Sequence, residues 1–323
     1  MSGVPAPASP RHPDSGLTVP VDSAPDLHHP ERRPGRHIGR HRASSGTTYI
    51  STASPAPSRN MATAIVVGVA MAVLALTPLL VYRPAFLIVI AAAVAVATAE
   101  LVRAIEHSGA HPPLAPLLVG GVGIVPLVWL TGPQALLIGW VVTVVAVMLW
   151  RLPEGPVGYA RDVASATLTV SYVPFLAGFV VLLLAPTDGA ARVIAMVAVT
   201  IASDVGGYVV GSKLGRHRMC PTISPSKTWE GTAGSLLLAS LVGVAALIWG
   251  FGGLWWQGVI FGVAVSAAAI VGDLAESLVK RDVGVKDMGM LLPGHGGAMD
   301  RFDSILVAAP VAYLLLAWYL PVA

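Results

Sequence analysis

The chain has 323 residues, of which 55% are hydrophobic and only 11% charged, far below the roughly 25% charged share of an ordinary soluble domain. That balance excludes a soluble globular domain and predicts an all-α, polytopic integral membrane protein. A net charge of +3 is too small to argue for a nucleic-acid partner, and a single Cys220 excludes an internal disulfide or a cysteine-cluster metal site.

Residues 1–60 are rich in Pro, Ser, His and Arg and lack apolar periodicity. Such a segment cannot bury enough apolar surface to offset its ordering entropy, and it is predicted to be a disordered basic cytoplasmic tail. Its histidines, His28, His29, His37 and His41, read as solvated side chains and not as metal ligands. The first apolar run begins only at Met61, so no cleaved leader is expected.

About 20 apolar residues cross a bilayer as a helix, and nine windows qualify: 61–82, 84–103, 114–130, 133–150, 163–185, 191–211, 231–250, 254–279 and 304–321. Tyr82-Arg83-Pro84 and Thr131-Gly132-Pro133 read as tight hairpins between spans. Three regions follow: the tail 1–60, N-terminal transmembrane helices 61–199, and a catalytic region 200–323 with loops 212–230 and 280–303. Placing the tail in the cytoplasm puts eighteen of the twenty Lys and Arg residues on that side, leaving Arg83 and Arg192 outside. The polar loops then face the cytosol.

Acids inside the spans are costly unless paired, protonated or bound to a cation. Asp204 precedes Gly211 by seven residues and Asp273 precedes Lys280 by seven, so both are expected about 10 Å below a helix end. Glu276, Ser277 and Lys280 share the helical face of Asp273, and Asp300 and Asp303 form an i, i+3 pair at the start of the last span, where the helix dipole favours ionised carboxylates. Carboxylates from several helices without a His or Cys cluster fit a hard cation such as Mg²⁺. The competing reading pairs Asp273 with Lys280 or Arg281 and makes Asp303 a cap. Glu100 reads as an ordinary structural pair with Arg103. His295-Gly296-Gly297 offers amides to an anion, and Ser224-Pro-Ser-Lys227-Thr228 offers hydroxyls and an ammonium just before a span, as phosphate contacts or as a helix cap. Gly207, Gly211 and Gly215, at four-residue spacing, read as helix packing.

The run Ser277, Lys280, Arg281, Lys286, Asp287, Leu292, Pro293, His295, Gly296, Gly297, Asp300, Arg301, Asp303, with Asp204-Val-Gly-Gly-Tyr208 and Ser224 to Gly231 upstream, closely resembles the signature of the phosphatidate cytidylyltransferase family. The resemblance is strong over 200–305 and a hydropathy pattern over 61–199. Ser226 replaces a common second Lys, and Ala298 a larger aliphatic residue.

The resemblance implies transfer of the cytidylyl group of CTP to phosphatidic acid, giving CDP-diacylglycerol and pyrophosphate at the cytoplasmic leaflet of the cell membrane. It implies Mg²⁺ on Asp273 and Asp300, with Asp204 and Asp303 as further ligands or holding a second cation. It makes Lys227, Lys280, Arg281, Lys286 and Arg301 clamps for phosphates, places His295 at the departing pyrophosphate, and assigns Ser224, Thr228, Ser277, Gly296 and Gly297 to substrate contacts. A homodimer is compatible with it. The rival readings are a cytidylyltransferase or CTP-dependent kinase acting on an isoprenoid lipid, and a cation transporter. A transporter should show inverted repeats and midplane acids; no repeat is visible here, and the acids cluster at one side.

Overall fold

The computed structural model describes residues 61–289 and 297–320, with side chains from Gly68 onward; the predicted tail, 1–60, lies outside them. The helices are α1 (Met61–Val81), α2 (Arg83–Glu106), α3 (Leu114–Thr131), α4 (Pro133–Arg151), α5 (Tyr159–Val170), α6 (Leu176–Leu184), α7 (Gly189–Leu214), α8 (Trp229–Ala245), α9 (Trp255–Val283) and α10 (Met299–Tyr319). A π-turn at Ser171–Phe175, containing Pro174, joins α5 to α6 into one continuous apolar segment, Tyr159–Leu184. Among the described residues, eight helical segments are long and apolar enough to cross a membrane, and α1 adds an apolar stretch from Gly68 to Val81. The protein is an all-α multi-pass membrane protein. In lipid every backbone amide must be satisfied internally, so the apolar windows all resolve as helices, Pro-containing ones included.

Several helices run further than their windows. α7 continues three residues past Gly211, and α9 ends at Val283, followed by Gly284, whose φ of 75° gives the left-handed C-cap while Val285 N–H donates to the Lys280 carbonyl (3.0 Å). α10 starts at Met299 instead of 304, so Asp300 and Asp303 occupy its first turns. The loop before α8 also carries a short antiparallel ribbon, β1 (Arg218–Cys220) with β2 (Ser224–Thr228).

Helices α7, α8 and α9 approach one another through small residues. A methyl group at Gly206 would collide with the Gly234 carbonyl oxygen, so only glycine permits this contact. The Ser203 and Ser266 hydroxyls meet at 2.7 Å and Ser235 donates to the Ser203 carbonyl at 2.7 Å, satisfying buried polar atoms across three helices. The glycines Gly207, Gly211 and Gly215 face Ser235, Gly231 and Thr228 of α8 and its cap, as packing requires.

Cross-helix contacts sort the connections into two ends. At one end His111 N–H donates to Asp162 (2.6 Å), whose other oxygen takes a hydrogen bond from buried Arg151 (2.5 Å), tying the segment after α2 to that after α4. At the other end Arg83 donates to the Pro186 carbonyl, and Arg192 binds Asp188 (2.8 Å) and the Leu320 carbonyl (3.0 Å). The two basic residues assigned to the sparsely charged side are both held at that end.

Candidate active site

Asp204 on α7 and Asp273 on α9 each lie ten residues before their helix C-terminus, about 15 Å down the axis at 1.5 Å per residue, deeper than the 10 Å expected because both helices are longer than their windows. They line one cavity of about 360 Å³ between α7, α8 and α9. Ser226, Lys227 and Thr228, from the end of β2, close its wall. Lys227 reaches in, its Nζ 2.6 Å from Asp273 Oδ2. Asp273 therefore does not pair with Lys280 or Arg281. Its partner comes from another helix connection. Thr228 is the N-cap of α8, its hydroxyl accepting from Gly231 N–H (3.1 Å), so the capping role is present while the residue also borders the cavity.

The shared face of α9 is divided between two neighbours. Lys280 turns toward α10 and places its Nζ 2.6 Å from Asp300 Oδ1 and 3.1 Å from Glu276 Oε2. Asp300 also accepts from Gly297 N–H (2.7 Å) and Met288 N–H (3.3 Å), so it pins the start of α10 to both sides of the connection after α9. Glu276 is 1% exposed and its Oε1 has no hydrogen-bond partner among the described residues. Asp303 is buried on the next turn of α10 and accepts from Ser304 N–H (2.6 Å). Gly272 makes this proximity possible: a methyl there would lie 2.6 Å from the Asp303 carbonyl oxygen, so α9 and α10 meet backbone to backbone one residue from Asp273. Tyr172, in the π-turn, donates to the Gly272 carbonyl (3.1 Å) and braces this crossing.

The remaining predicted residues are placed as follows. Arg281 is exposed on the last turn of α9 and Lys286 just beyond it, and Arg301 is exposed on the first turn of α10. Ser277 is half-buried on α9, and Ser224 sits at the far end of β2, paired with Cys220; neither lines the cavity. Gly297 is buried and donates to Asp300. His295 and Gly296 lie outside the described residues. Among the described residues no group of three or more His, Cys, Asp or Glu is gathered closely enough to hold a metal by itself. Asp204 and Asp273 line the cavity, and Asp300 and Asp303 occupy the first turns of α10, with Asp303 within electrostatic reach of both cavity aspartates.

The expected Glu100–Arg103 pair is not formed. Arg103 is exposed, while Glu100 is buried and accepts from Met299 N–H (2.9 Å) at the start of α10. The helical spacing held the signal, since Glu100 falls on the same stripe as buried Ala97, Leu101 and Ala104.

Fold and site together define a multi-pass membrane protein with two lysine–carboxylate pairs on adjoining helices, one of them, Lys227–Asp273, lining a cavity. The family model described as the cytidylyltransferase family matches residues 62–319, and the chain belongs to that family. It is similar to the phosphatidate cytidylyltransferase of Mycobacterium bovis, 39% identical over 82% of this chain and 91% of that one. The phosphatidate cytidylyltransferase of Mycobacterium leprae is 40% identical, covering 81% and 89%. That of Synechocystis is 43% identical over 38% of this chain and 41% of its own.

Proposed function

We propose that the protein transfers the cytidylyl group of CTP to phosphatidic acid, giving CDP-diacylglycerol and pyrophosphate for phospholipid synthesis. The observation that carries this reading is the juxtaposition of Lys227–Asp273 in the cavity with Lys280–Asp300 at the start of α10, in a chain of this family. Phosphoryl transfer demands positioning and charge neutralisation more than a protein nucleophile. A lipid phosphate oxygen forms a bond to the α-phosphorus of CTP as the bond from that phosphorus to the α,β-bridging oxygen breaks, and pyrophosphate leaves with the electron pair. Lys227 and Lys280 neutralise phosphate charge from the two sides, with Arg281, Lys286 and Arg301 at the rim of the same end as further cations.

Asp204 and Asp273 supply only oxygen donors and line one cavity, which fits Mg²⁺, an ion that commonly takes one or two carboxylates and completes its shell with water and substrate phosphates. Asp300 and Asp303 are candidates for a second cation. When bound, the ion neutralises the triphosphate and makes the α-phosphorus more electrophilic. Lys227 reaches into the same cavity, where its ammonium can turn from Asp273 to a phosphate oxygen.

Label placement tests the reaction. Label in the α-phosphate of CTP is expected in the lipid and label in the γ-phosphate in pyrophosphate, with no phospho-enzyme. Lipid carrying the γ label would identify a CTP-dependent kinase, and ion flux in liposomes without CTP turnover would identify a transporter.

The end of the bundle carrying the site is assigned to the cytoplasm because eighteen of twenty basic residues then lie inside. In a Cys220→Ser background, Arg218→Cys and Val285→Cys are expected to resist an impermeant thiol reagent in intact cells and to react after permeabilisation. Labelling of both from outside would reverse the assignment.

A further inference from the structure

Glu100 lies near the C-terminal end of α2, at the end of the bundle that carries the site, and is 4% exposed. Its Oε2 accepts the amide of Met299, the first residue of α10 and 199 positions away (2.9 Å). Its Oε1 is also buried, has no hydrogen-bond partner among the described residues, and faces Gly289, where an added methyl group would collide with it. A methyl group at Gly297 would lie 2.7 Å from Oε2, 2.8 Å from the Gly289 amide nitrogen and 3.1 Å from Asp300 Oδ2. Gly289 and Gly297 therefore meet on one carboxylate from a distant helix.

The contact continues into the site. Met299 is followed by Asp300, which accepts from Gly297 N–H and binds Lys280. The first amides of a helix lack intrahelical partners, and here one is satisfied from α2 and not by a local cap, since Ala298 offers no side-chain acceptor. A carboxylate is buried in an apolar bundle only where donors or the positive end of a helix compensate it.

We propose that Glu100 is a positioning residue for cytidylyl transfer. It takes up Gly289 and Gly297 against its carboxylate and seats the start of α10, so that Asp300 meets Lys280 in the register the reaction uses. The inference rests on the function proposed above for the effect on turnover, but not for the seating itself. A displacement of about 1 Å at reacting groups costs on the order of 100-fold in rate.

The experiment compares the full-length protein with Glu100→Ala, Glu100→Gln and Gly289→Ala, by steady-state kinetics and by hydrogen exchange of the backbone over 297–301. Glu100→Ala is expected to lower kcat by about 100-fold while KM for CTP moves by less than about threefold, with faster exchange at the start of α10. Glu100→Gln keeps an oxygen for Met299 N–H and is expected to recover kcat to within about tenfold of the parent. Gly289→Ala, which leaves Glu100 in place but drives a methyl into its carboxylate, is expected to resemble Glu100→Ala. A folded Glu100→Ala protein with parental kcat and exchange overturns the proposal, as does a Glu100→Gln protein as slow as Glu100→Ala with exchange unchanged. If Glu100→Ala does not accumulate, parental kcat in Gly289→Ala overturns it equally. Absence of CTP turnover in the parent would sink the functional reading instead, and the exchange comparison would still decide the seating.

Discussion

Asp273→Asn and Asp300→Asn are each expected to lower turnover by roughly a thousandfold, the scale of several kcal/mol of lost charge stabilisation, while the protein still inserts. The two losses have different origins. Neutralising Asp273 leaves Lys227 without its 2.6 Å partner and removes one of two carboxylates from the cavity. Neutralising Asp300 removes the charge that binds Lys280 at 2.6 Å, although the amide carbonyl of the substitute can still accept from Gly297 N–H. Turnover measured across a Mg²⁺ titration tests both: each variant should need more Mg²⁺ if its carboxylate is a ligand, and chelation should silence the parent protein. Near-parental activity of both variants at saturating Mg²⁺ would remove these residues from the candidate ligand set.

Lys280→Met is expected to abolish measurable turnover and also to destabilise the protein by about 3 kcal/mol, because removing one member of a buried ionic cluster leaves the others uncompensated. Lys280 is the common partner of Glu276, which is almost fully buried, and of Asp300. Adding Glu276→Gln should restore much of the stability, since it replaces the buried carboxyl left without its lysine partner, without restoring activity. Thermal unfolding and turnover of the two single variants and the double variant form the cycle that checks this. Equal stability of parent and Lys280→Met would show that the cluster does not depend on the lysine.

The resemblance read from Ser277 to Asp303 is borne out by a family match that reaches back to residue 62, well before the motifs that suggested it. The membrane helices were legible because the length and polarity of a span are local properties that lipid enforces on every segment alike. Their ends were less legible: α7, α9 and α10 extend into polar sequence, where hydropathy no longer marks the boundary and capping residues such as Gly284 do. The β1–β2 ribbon was not anticipated, since its strands are only three and five residues long.

A multi-pass helical protein and the end of its helices that gathers the charged residues could both be read from the amino-acid order alone. Helical spacing could place Asp273, Glu276 and Lys280 on one face, but a face does not name its neighbour. It took the packed bundle to show that Asp273 meets Lys227 while Lys280 meets Asp300, and that Glu100 leaves its sequence neighbour Arg103 for an amide 199 residues away. The cause is the same in each case: helix packing through glycines and serines sets which charges come within hydrogen-bonding distance, and in a low-dielectric interior the nearest compensating group in space, not the nearest in sequence, settles where a charge can stand.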